Sequence, residues 1–536
     1  MKKLGTYVSA TFAGAMLFLT ACGNAAGDAA QPAPGNNQPA NVAQPGEGQA
    51  GAVEQTATYS TQSQVDMLVG ALANNLDPHI SNDSSSAQIN GNIYSTLLYM
   101  NYNDFSPVER LATSWEMIDG QTIDMTLRSG VTFHNGMPLT AYDVQFSLER
   151  ASNENAMQPI IGMLSHVDVH DNYNFTIHLD MPYAPILRHL AHVGTSIISR
   201  ELYESGHDLS EHPIGTGPFM FVENVIGSST TLERNPNYFG GAPLIETVVF
   251  RAVTEASVRL IEVEAGTADI GIAIQPADIP VAEASANVEL MRRTSLQTNY
   301  IGMNVSMPPL DDVRVRQAIR YALNTEQIFH AVMLGIGTHA TNVIPPHVFG
   351  YSPVRQFDTN LDRARELLAE AGLADGFTIP MWYNVETIQR RDIAELTANL
   401  LRDLNIDIEI VGLDWPVYLQ GTEAGEQGLF VLGWSSLGGD ADYGLWPNFH
   451  GSLAGTGGRT FLQNDELDAL LDAGRAETDP ATRQAIYAEA LYLINELSVW
   501  IPINFGQENV ATNPNMRGFV MNPGGLHNLA NVYFVN

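Results

Sequence analysis

Residues 111–150 read LATSWEMIDGQTIDMTLRSGVTFHNGMPLTAYDVQFSLER, and the rest of the chain can be organised around them. Polar and apolar residues alternate on both sides of Asp119-Gly120, which predicts a β-hairpin with a tight turn. Thr140 stands three residues before Asp143 and just ahead of an apolar-periodic run, which predicts a helix that begins with a capping box. By pattern alone, these elements are typical of an ordinary α+β fragment.

The order of particular residues in this stretch resembles one known family. The matching positions are Trp115, the Asp119-Gly120 turn, Leu127-Arg128, VTFHNG at 131–136, PLTA at 138–141 and Asp143-Val144. Two later stretches, HPIGTGPF at 212–219 and PPLDDVRVRQAIRYALN at 308–324, resemble the same family. It is the family of solute-binding proteins that serve dipeptide, oligopeptide and nickel ABC importers (family 5). The matches run from about Val65 to Met521.

The resemblance implies an α/β fold of the periplasmic-binding-protein-like II class, with two lobes, an extra domain and hinge closure around a solute. The expected main lobe (domain I) comprises residues 59–90, 211–297 and 506–536. Domain II is expected at residues 91–210, and the second lobe (domain III) at residues 298–505. A pair of crossing strands is expected to join the two lobes.

Composition excludes several functions. A chain of 536 residues is long for one hydrophobic core, which favours two or three domains. Its net charge of −34 should repel nucleic acid and anionic lipid headgroups. Lys2 and Lys3 are the only lysines, so the remaining sequence can supply neither a P-loop lysine nor a Schiff base. We therefore expect no enzyme and no cofactor.

The N-terminus has the pattern of a lipoprotein signal. Lys2-Lys3 precede an apolar run that is too short to span a membrane, and Leu19-Thr-Ala-Cys22-Gly resembles a bacterial lipobox. We expect residues 1–21 to be a signal peptide and Cys22 to be lipidated; the alternative is a chance cysteine in a signal peptide. Residues 22–58 lack bulky apolar side chains and should form a disordered tether. The expected location is the outer face of the cytoplasmic membrane, or the periplasm of a diderm cell.

Some charged and metal-ligating residues are expected to be surface features. His166 and His170 lie in a predicted strand, where residues i and i+4 are about 13 Å apart, too far to share one metal ion. No metal site is therefore expected. Arg314, Arg316 and Arg320 are expected to form ion pairs at the surface of an acidic protein.

The expected solute site lies in the glycine-rich segment GWSSLGGDADY at 433–443, directly after an apolar strand. Trp434, Asp440 and Asp442 are the main candidates, although Trp434 could be a core residue and the aspartates could cap a turn. In peptide binders of the family, an aspartate three residues after the cleft tryptophan pairs with the α-amino group; here that position is Leu437. Asp440 or Asp442 would have to substitute for it. Weaker candidates are Tyr383, Asn75 and Asp77.

The expected function is that of a lipid-anchored, monomeric receptor that binds a solute, most simply a peptide, and delivers it to an ABC permease. The alternatives are a receptor for a nickel chelate, an oligosaccharide or another small solute, or a signalling lipoprotein on the same fold. An extracellular hydrolase is disfavoured because the sequence has no nucleophile–base motif.

Overall fold

The structure is a computed structural model that describes residues 59–81, 83–385 and 387–536. The predicted signal peptide, Cys22 and the tether lie outside these residues. Within them, every helix is too short or too polar to cross a membrane.

The secondary structure alternates between helices and strands along the chain. The strands are β1 (Gln64–Val69), β2 (Leu98–Met100), β3 (Pro107–Glu109), β4 (Ala112–Met117), β5 (Thr122–Leu127), β6 (Leu164–Val169), β7 (Asn174–Leu179), β8 (Phe219–Val225), β9 (Ser229–Arg234), β10 (Thr247–Ala252), β11 (Ile270–Gly271), β12 (Glu289–Met303), β13 (Thr338–His339), β14 (Phe377–Asn384), β15 (Ile406–Leu413), β16 (Leu429–Ser435), β17 (Trp500–Thr512), β18 (Met516–Arg517) and β19 (Tyr533–Phe534).

The helices are α1 (Ser84–Ile93), α2 (Ala141–Asn153), α3 (Gln158–Ile161), α4 (Ile186–His189), α5 (Arg200–Glu204), α6 (Ala256–Glu264), α7 (Ile279–Ala284), α8 (Val313–Ala322), α9 (Thr325–Met333), α10 (Leu361–Glu370), α11 (Ile388–Leu401), α12 (Trp415–Ala424), α13 (Ala441–Phe449), α14 (Asp465–Ala476) and α15 (Pro480–Leu497).

The first lobe is built on β1, which lies parallel to both β10 and β11, with β9 and β8 continuing the sheet antiparallel. Helix α1 ends at Ile93, whose carbonyl oxygen accepts a hydrogen bond from the Gly217 amide at 2.8 Å. A Cβ atom on Gly217 would lie 2.6 Å from the Ile93 carbonyl carbon, so only glycine allows this approach. The glycines of the HPIGTGPF motif therefore attach α1, which carries part of the cavity wall, to the sheet.

A small antiparallel sheet in the order β4-β5-β7-β6 packs on α2. It confirms the predicted hairpin, because Trp115 pairs with Met125 and Met117 with Ile123 across the Asp119-Gly120 turn. The predicted capping box is also present: the Thr140 amide donates to Asp143 Oδ2 at 2.9 Å. One face of this small sheet is buried against an apolar core, and the other face carries polar side chains.

The second lobe contains β14 between β15 and β16, all parallel, with helices packed on the apolar strands. One expectation for α8 is wrong. Arg316 and Arg320 are buried and donate to the carbonyls of Leu497 and Asn495 at the end of α15, each at 2.8 Å. These carbonyls have no partner within their own helix, so the guanidinium groups satisfy them. Arg314 does form the expected ion pair, with Asp312 at 2.6 Å.

The two lobes share one sheet through the long antiparallel strands β12 and β17. Their pairing extends from Glu289–Thr512 in the first lobe to Gly302–Trp500 in the second, with an irregular register between Thr294 and Thr298. The chain therefore passes between the lobes along two hydrogen-bonded strands. This two-lobed α/β architecture confirms the predicted fold class. The residue boundaries of the three domains remain a prediction.

Candidate functional site

A cavity lies between the two lobes, with an empty volume of about 920 Å³ including its open mouth. One wall comes from α1, β2 and the segment around α4; the opposite wall comes from β12 and the turn after β16. The C-terminal segment 522–528 forms a third side. Aromatic rings supply much of the surface, from Tyr99, Tyr102, Phe105 and Tyr443. A concave, largely apolar site with a few polar groups is typical of small-molecule binding.

Two arginines face the cavity, Arg110 from the loop after β3 and Arg188 from α4. Arg110 donates to the Thr96 hydroxyl and the Tyr94 carbonyl, which are both neutral acceptors. No Asp or Glu occurs among the described residues that line the cavity. The charge of the lining is therefore positive.

The histidines of the cavity are neutral at physiological pH. Burial lowers the pKa of His192 and of His527 to about 4, and it also lowers the pKa of His189 despite the nearby Asp442 carboxylate. The Nε2 atoms of His189 and His527 are buried and lack hydrogen-bond partners within the part of the chain that the structure describes. Because Nδ1 of His189 donates to the Ile160 carbonyl, its Nε2 is an acceptor; because Nδ1 of His527 accepts from the Asn522 amide, its Nε2 carries the proton.

The predicted candidate Asp440 is already paired. Its fully buried carboxylate accepts two hydrogen bonds from Arg483, both at 2.7 Å, and Arg188 Nε lies 3.1 Å from the same carboxylate. Burial alone would raise the pKa of the Asp440 carboxyl, but the guanidinium groups outweigh it and hold the pKa below its usual range. Asp440 also caps α13 by accepting from the Asp442 amide at 3.0 Å. The capping alternative is therefore confirmed.

Of the two arginines around Asp440, Arg188 is the one whose pKa is stabilised less by this carboxylate. Burial lowers the pKa of Arg188, and the attraction of Asp440 only partly offsets this effect. For Arg483, by contrast, Asp440 outweighs burial and raises the pKa. Asp440 is thus shared between two arginines, and Arg483 holds it through both oxygens while Arg188 contacts it through Nε alone.

Asp442 is paired in a similar way. Arg475 Nε donates to Asp442 Oδ1 at 2.9 Å, and the Tyr183 hydroxyl donates to Asp442 Oδ2 at 3.0 Å. Since Tyr183 precedes α4 and Arg475 ends α14, Asp442 joins the small-sheet region to the second lobe. Neither aspartate lines the cavity or offers an unpaired oxygen to a ligand ammonium group. In this structure the two aspartates join the walls of the cleft, and a contact of either with a solute stays a prediction.

Residues 106–456 match the family described as bacterial extracellular solute-binding proteins, family 5. The chain belongs to this family. The dipeptide-binding protein of Escherichia coli is 30% identical over 476 residues, covering 82% of this chain and 88% of the relative. The glutathione-binding protein of Salmonella typhi is 29% identical over 478 residues, covering 85% and 92%.

A solved structure of this family shares the fold. The periplasmic binding protein DppA from Helicobacter pylori, in complex with the peptide STSA, superposes with a TM-score of 0.78 and 25% identity. It covers 88% of this chain and 98% of its own. The chain is thus a solute-binding protein of an ABC importer and not an enzyme, as the sequence predicted.

The structure brings one predicted residue of this solute-binding protein to the cavity, namely Leu437. Trp434 lies behind it: its Nε1 donates to the Tyr443 carbonyl at 2.8 Å, and its ring packs on cores of both walls. Tyr383 packs on the second-lobe core. Asp77 forms an ion pair with Arg150 at 2.7 Å, and Asn75 accepts from the Asp77 amide. Which of these residues contact a solute stays a prediction.

Sequence reasoning missed most of the cavity wall. Arg110 immediately precedes the family-like stretch at 111–150, and Arg188-His189 follow an apolar segment as an isolated basic pair. Such basic residues, in an acidic chain with no lysine after Lys3, were the available signal. Residues 522–528 gave no comparable signal, because their place in the cavity depends on the return of the chain to the first lobe.

Proposed function

We propose that this chain is a receptor for small peptides, anchored outside the cell by a lipid on Cys22 and delivering its ligand as a monomer to an ABC permease. Relatives that carry the names dipeptide-binding and glutathione-binding protein support peptides as the solute class. The peptide-bound structure of the Helicobacter pylori relative supports the same class.

One observation supports a particular mode of binding. The cavity lining contains Arg110 and Arg188, and no Asp or Glu of the described residues lines it. A guanidinium group pairs with a carboxylate through two parallel hydrogen bonds, and this pairing is strong in a desolvated site. We therefore expect the peptide to be held mainly by its carboxylate, which would accept hydrogen bonds from the guanidinium groups of Arg110 and Arg188.

The amino group of the peptide should contribute little to its binding affinity. Leu437 stands where peptide binders of the family have an aspartate, and Asp440 and Asp442 are committed to arginines. An ammonium group placed there would face an apolar side chain and positively charged neighbours.

Matched peptides test this mode of binding. The protein is unfolded and refolded to remove co-purified ligand, and a panel of di- to tetrapeptides, oligosaccharides and nickel chelates is titrated by calorimetry. For the best peptide, C-terminal amidation should weaken binding by about 2 kcal/mol or more, which is about thirtyfold. N-terminal acetylation should change the affinity less than threefold. The opposite ranking would overturn the proposed orientation, and tight binding of a sugar or chelate alone would overturn the solute class.

The lipid anchor is tested separately. Cys22→Ser, expressed in a bacterial host, should lose its membrane association, while the unchanged chain should remain in the membrane fraction. A Cys22→Ser chain that stays with the membrane like the unchanged protein would contradict lipidation at this residue. Light scattering of the released protein checks the monomeric state.

A further inference from the structure

A separate cluster of metal-ligating side chains lies on the exposed face of the small sheet. His166 on β6 stands directly opposite His178 on β7 in the strand register. Asp168 lies two residues after His166, so its side chain is on the same face of the sheet. The neighbouring residues Val167 and Ile177 point the other way, into the buried core.

The three side chains converge on a small volume. His178 Nε2 lies 3.2 Å from Asp168 Oδ2, and His166 Nε2 lies 3.8 Å from the same oxygen. The imidazole rings are stacked, with centroids 4.4 Å apart and planes 12° apart, so at least one ring has to turn about its side-chain bonds before both Nε2 lone pairs point at a common ion. One potential ligand atom from each residue lies within 4.8 Å of the other two.

These distances suit a transition-metal ion. Metal–ligand bonds of about 2.0–2.1 Å at tetrahedral angles place neighbouring ligand atoms about 3.4 Å apart. The observed separations of 3.2 and 3.8 Å fall on either side of that value. Two imidazoles and one carboxylate are typical ligands for Zn²⁺, Ni²⁺ or Cu²⁺, whereas Mg²⁺ and Ca²⁺ prefer sites made of oxygen alone.

We propose that His166, Asp168 and His178 bind one divalent transition-metal ion, such as Zn²⁺, at a site separate from the solute cavity. The side chains are 52%, 60% and 30% exposed, respectively, so an ion can reach them and the imidazole rings have room to turn towards it. The remaining coordination positions face outwards and take water or a ligand from another molecule.

His170, the residue directly after β6, provides a matched control. Its Nε2 atom is 2.7 Å from the Thr176 hydroxyl, which in turn donates to Asp124 at 2.6 Å. His170 is therefore committed to a different contact. Spacing along β6 rightly excludes a His166–His170 pair; the second imidazole comes instead from the neighbouring strand.

Zinc titration of the untagged full chain tests the proposal. After dialysis against a chelator, calorimetry and metal analysis should show about one strongly bound Zn²⁺ per chain. His178→Gln and Asp168→Asn should each weaken this binding at least tenfold, while His170→Gln should bind as tightly as the unchanged chain. Mg²⁺ should not compete. Because the residues are exposed, the variants should keep the circular dichroism spectrum and melting temperature of the metal-free protein.

Two results would overturn the proposal. One is the absence of zinc binding at 100 µM ion, about the weak limit for a specific site of this kind. The other is zinc binding that is unchanged in His178→Gln and Asp168→Asn, which would place the ion elsewhere, for example on the histidines of the cavity.

Discussion

Replacing Asp440 by Asn should destabilise the protein severely, although the two side chains have the same shape. The carboxylate is 1% exposed and lies between two arginines, at 2.7 Å from Arg483 and 3.1 Å from Arg188. An amide would remove the nearest counter-charge of both buried guanidinium groups. Breaking a buried ion pair from one side costs about 3–5 kcal/mol. The entropy of unfolding is about 2.1 cal/mol/K per residue, or about 1 kcal/mol/K for roughly 480 residues, so the melting temperature should fall by about 3–5 °C.

The matched control is Asp362→Asn. Asp362 pairs with Arg365 at 3.1 Å, but its side chain is 93% exposed. Exposed pairs contribute less than about 1 kcal/mol, so this variant should melt within about 1 °C of the unchanged protein. Differential scanning calorimetry at pH 7 compares the three proteins. Because the pKa of Asp440 is lowered in the folded state, its contribution is present above the unfolded pKa of 3.8 and is lost as pH falls through the folded value. Equal melting temperatures for both variants at pH 7 would refute this account of Asp440.

Two further predictions concern the hinge strand β17 and the closure of the cleft. Burial raises the pKa of Glu508 to about 7 from 4.5, and its carboxylate makes no hydrogen bond or ion pair within the described ranges. The contribution of protonated Glu508 to the free energy of unfolding is therefore fully present below pH 4.5 and is lost as pH rises through 7. In urea unfolding, the loss should be at most about 3 kcal/mol between pH 4.5 and 8. Glu508→Gln should abolish this loss. An equal pH dependence in both proteins would contradict it. Gly439→Ala should weaken peptide binding at least fivefold, because a Cβ there overlaps the Phe105 ring on the opposite wall. The control is Gly372→Ala, at a similar positive φ of 79° but with open space around it, which should lose stability without losing affinity. Equal peptide affinities for the two alanine variants would contradict a role of the Gly439–Phe105 contact in closure of the cleft.

Local patterns in the sequence predicted local structure well. The Asp119-Gly120 hairpin and the Thr140–Asp143 capping box depend on residues a few positions apart, and both occur as expected. The two-lobed fold was accessible because a long, ordered resemblance covers most of the folded chain. Leu437 lies at the cavity because the turn that follows β16 reaches it, and its contact with a solute stays a prediction.

Contacts between distant parts of the chain account for the remaining differences. Arg188 and Arg483 reach Asp440 from separate helices, and no sequence pattern indicates which arginine a given aspartate will meet. Arg316 is buried for a similar reason, since its partner is a helix end 181 residues away. The His166–His178 pair depends on the register of two strands, which the spacing of histidines along one strand cannot reveal.

The central claim is that a peptide carboxylate pairs with Arg110 in the cavity between the lobes. The most direct measurement is a calorimetric double-mutant cycle that combines Arg110→Gln with the free and the C-amidated forms of the best-binding peptide. We predict that amidation weakens binding strongly to the unchanged protein but little to Arg110→Gln, with a coupling energy of at least about 1.5 kcal/mol. A coupling energy of zero, with the free peptide still bound tightly by both proteins, would contradict the claim.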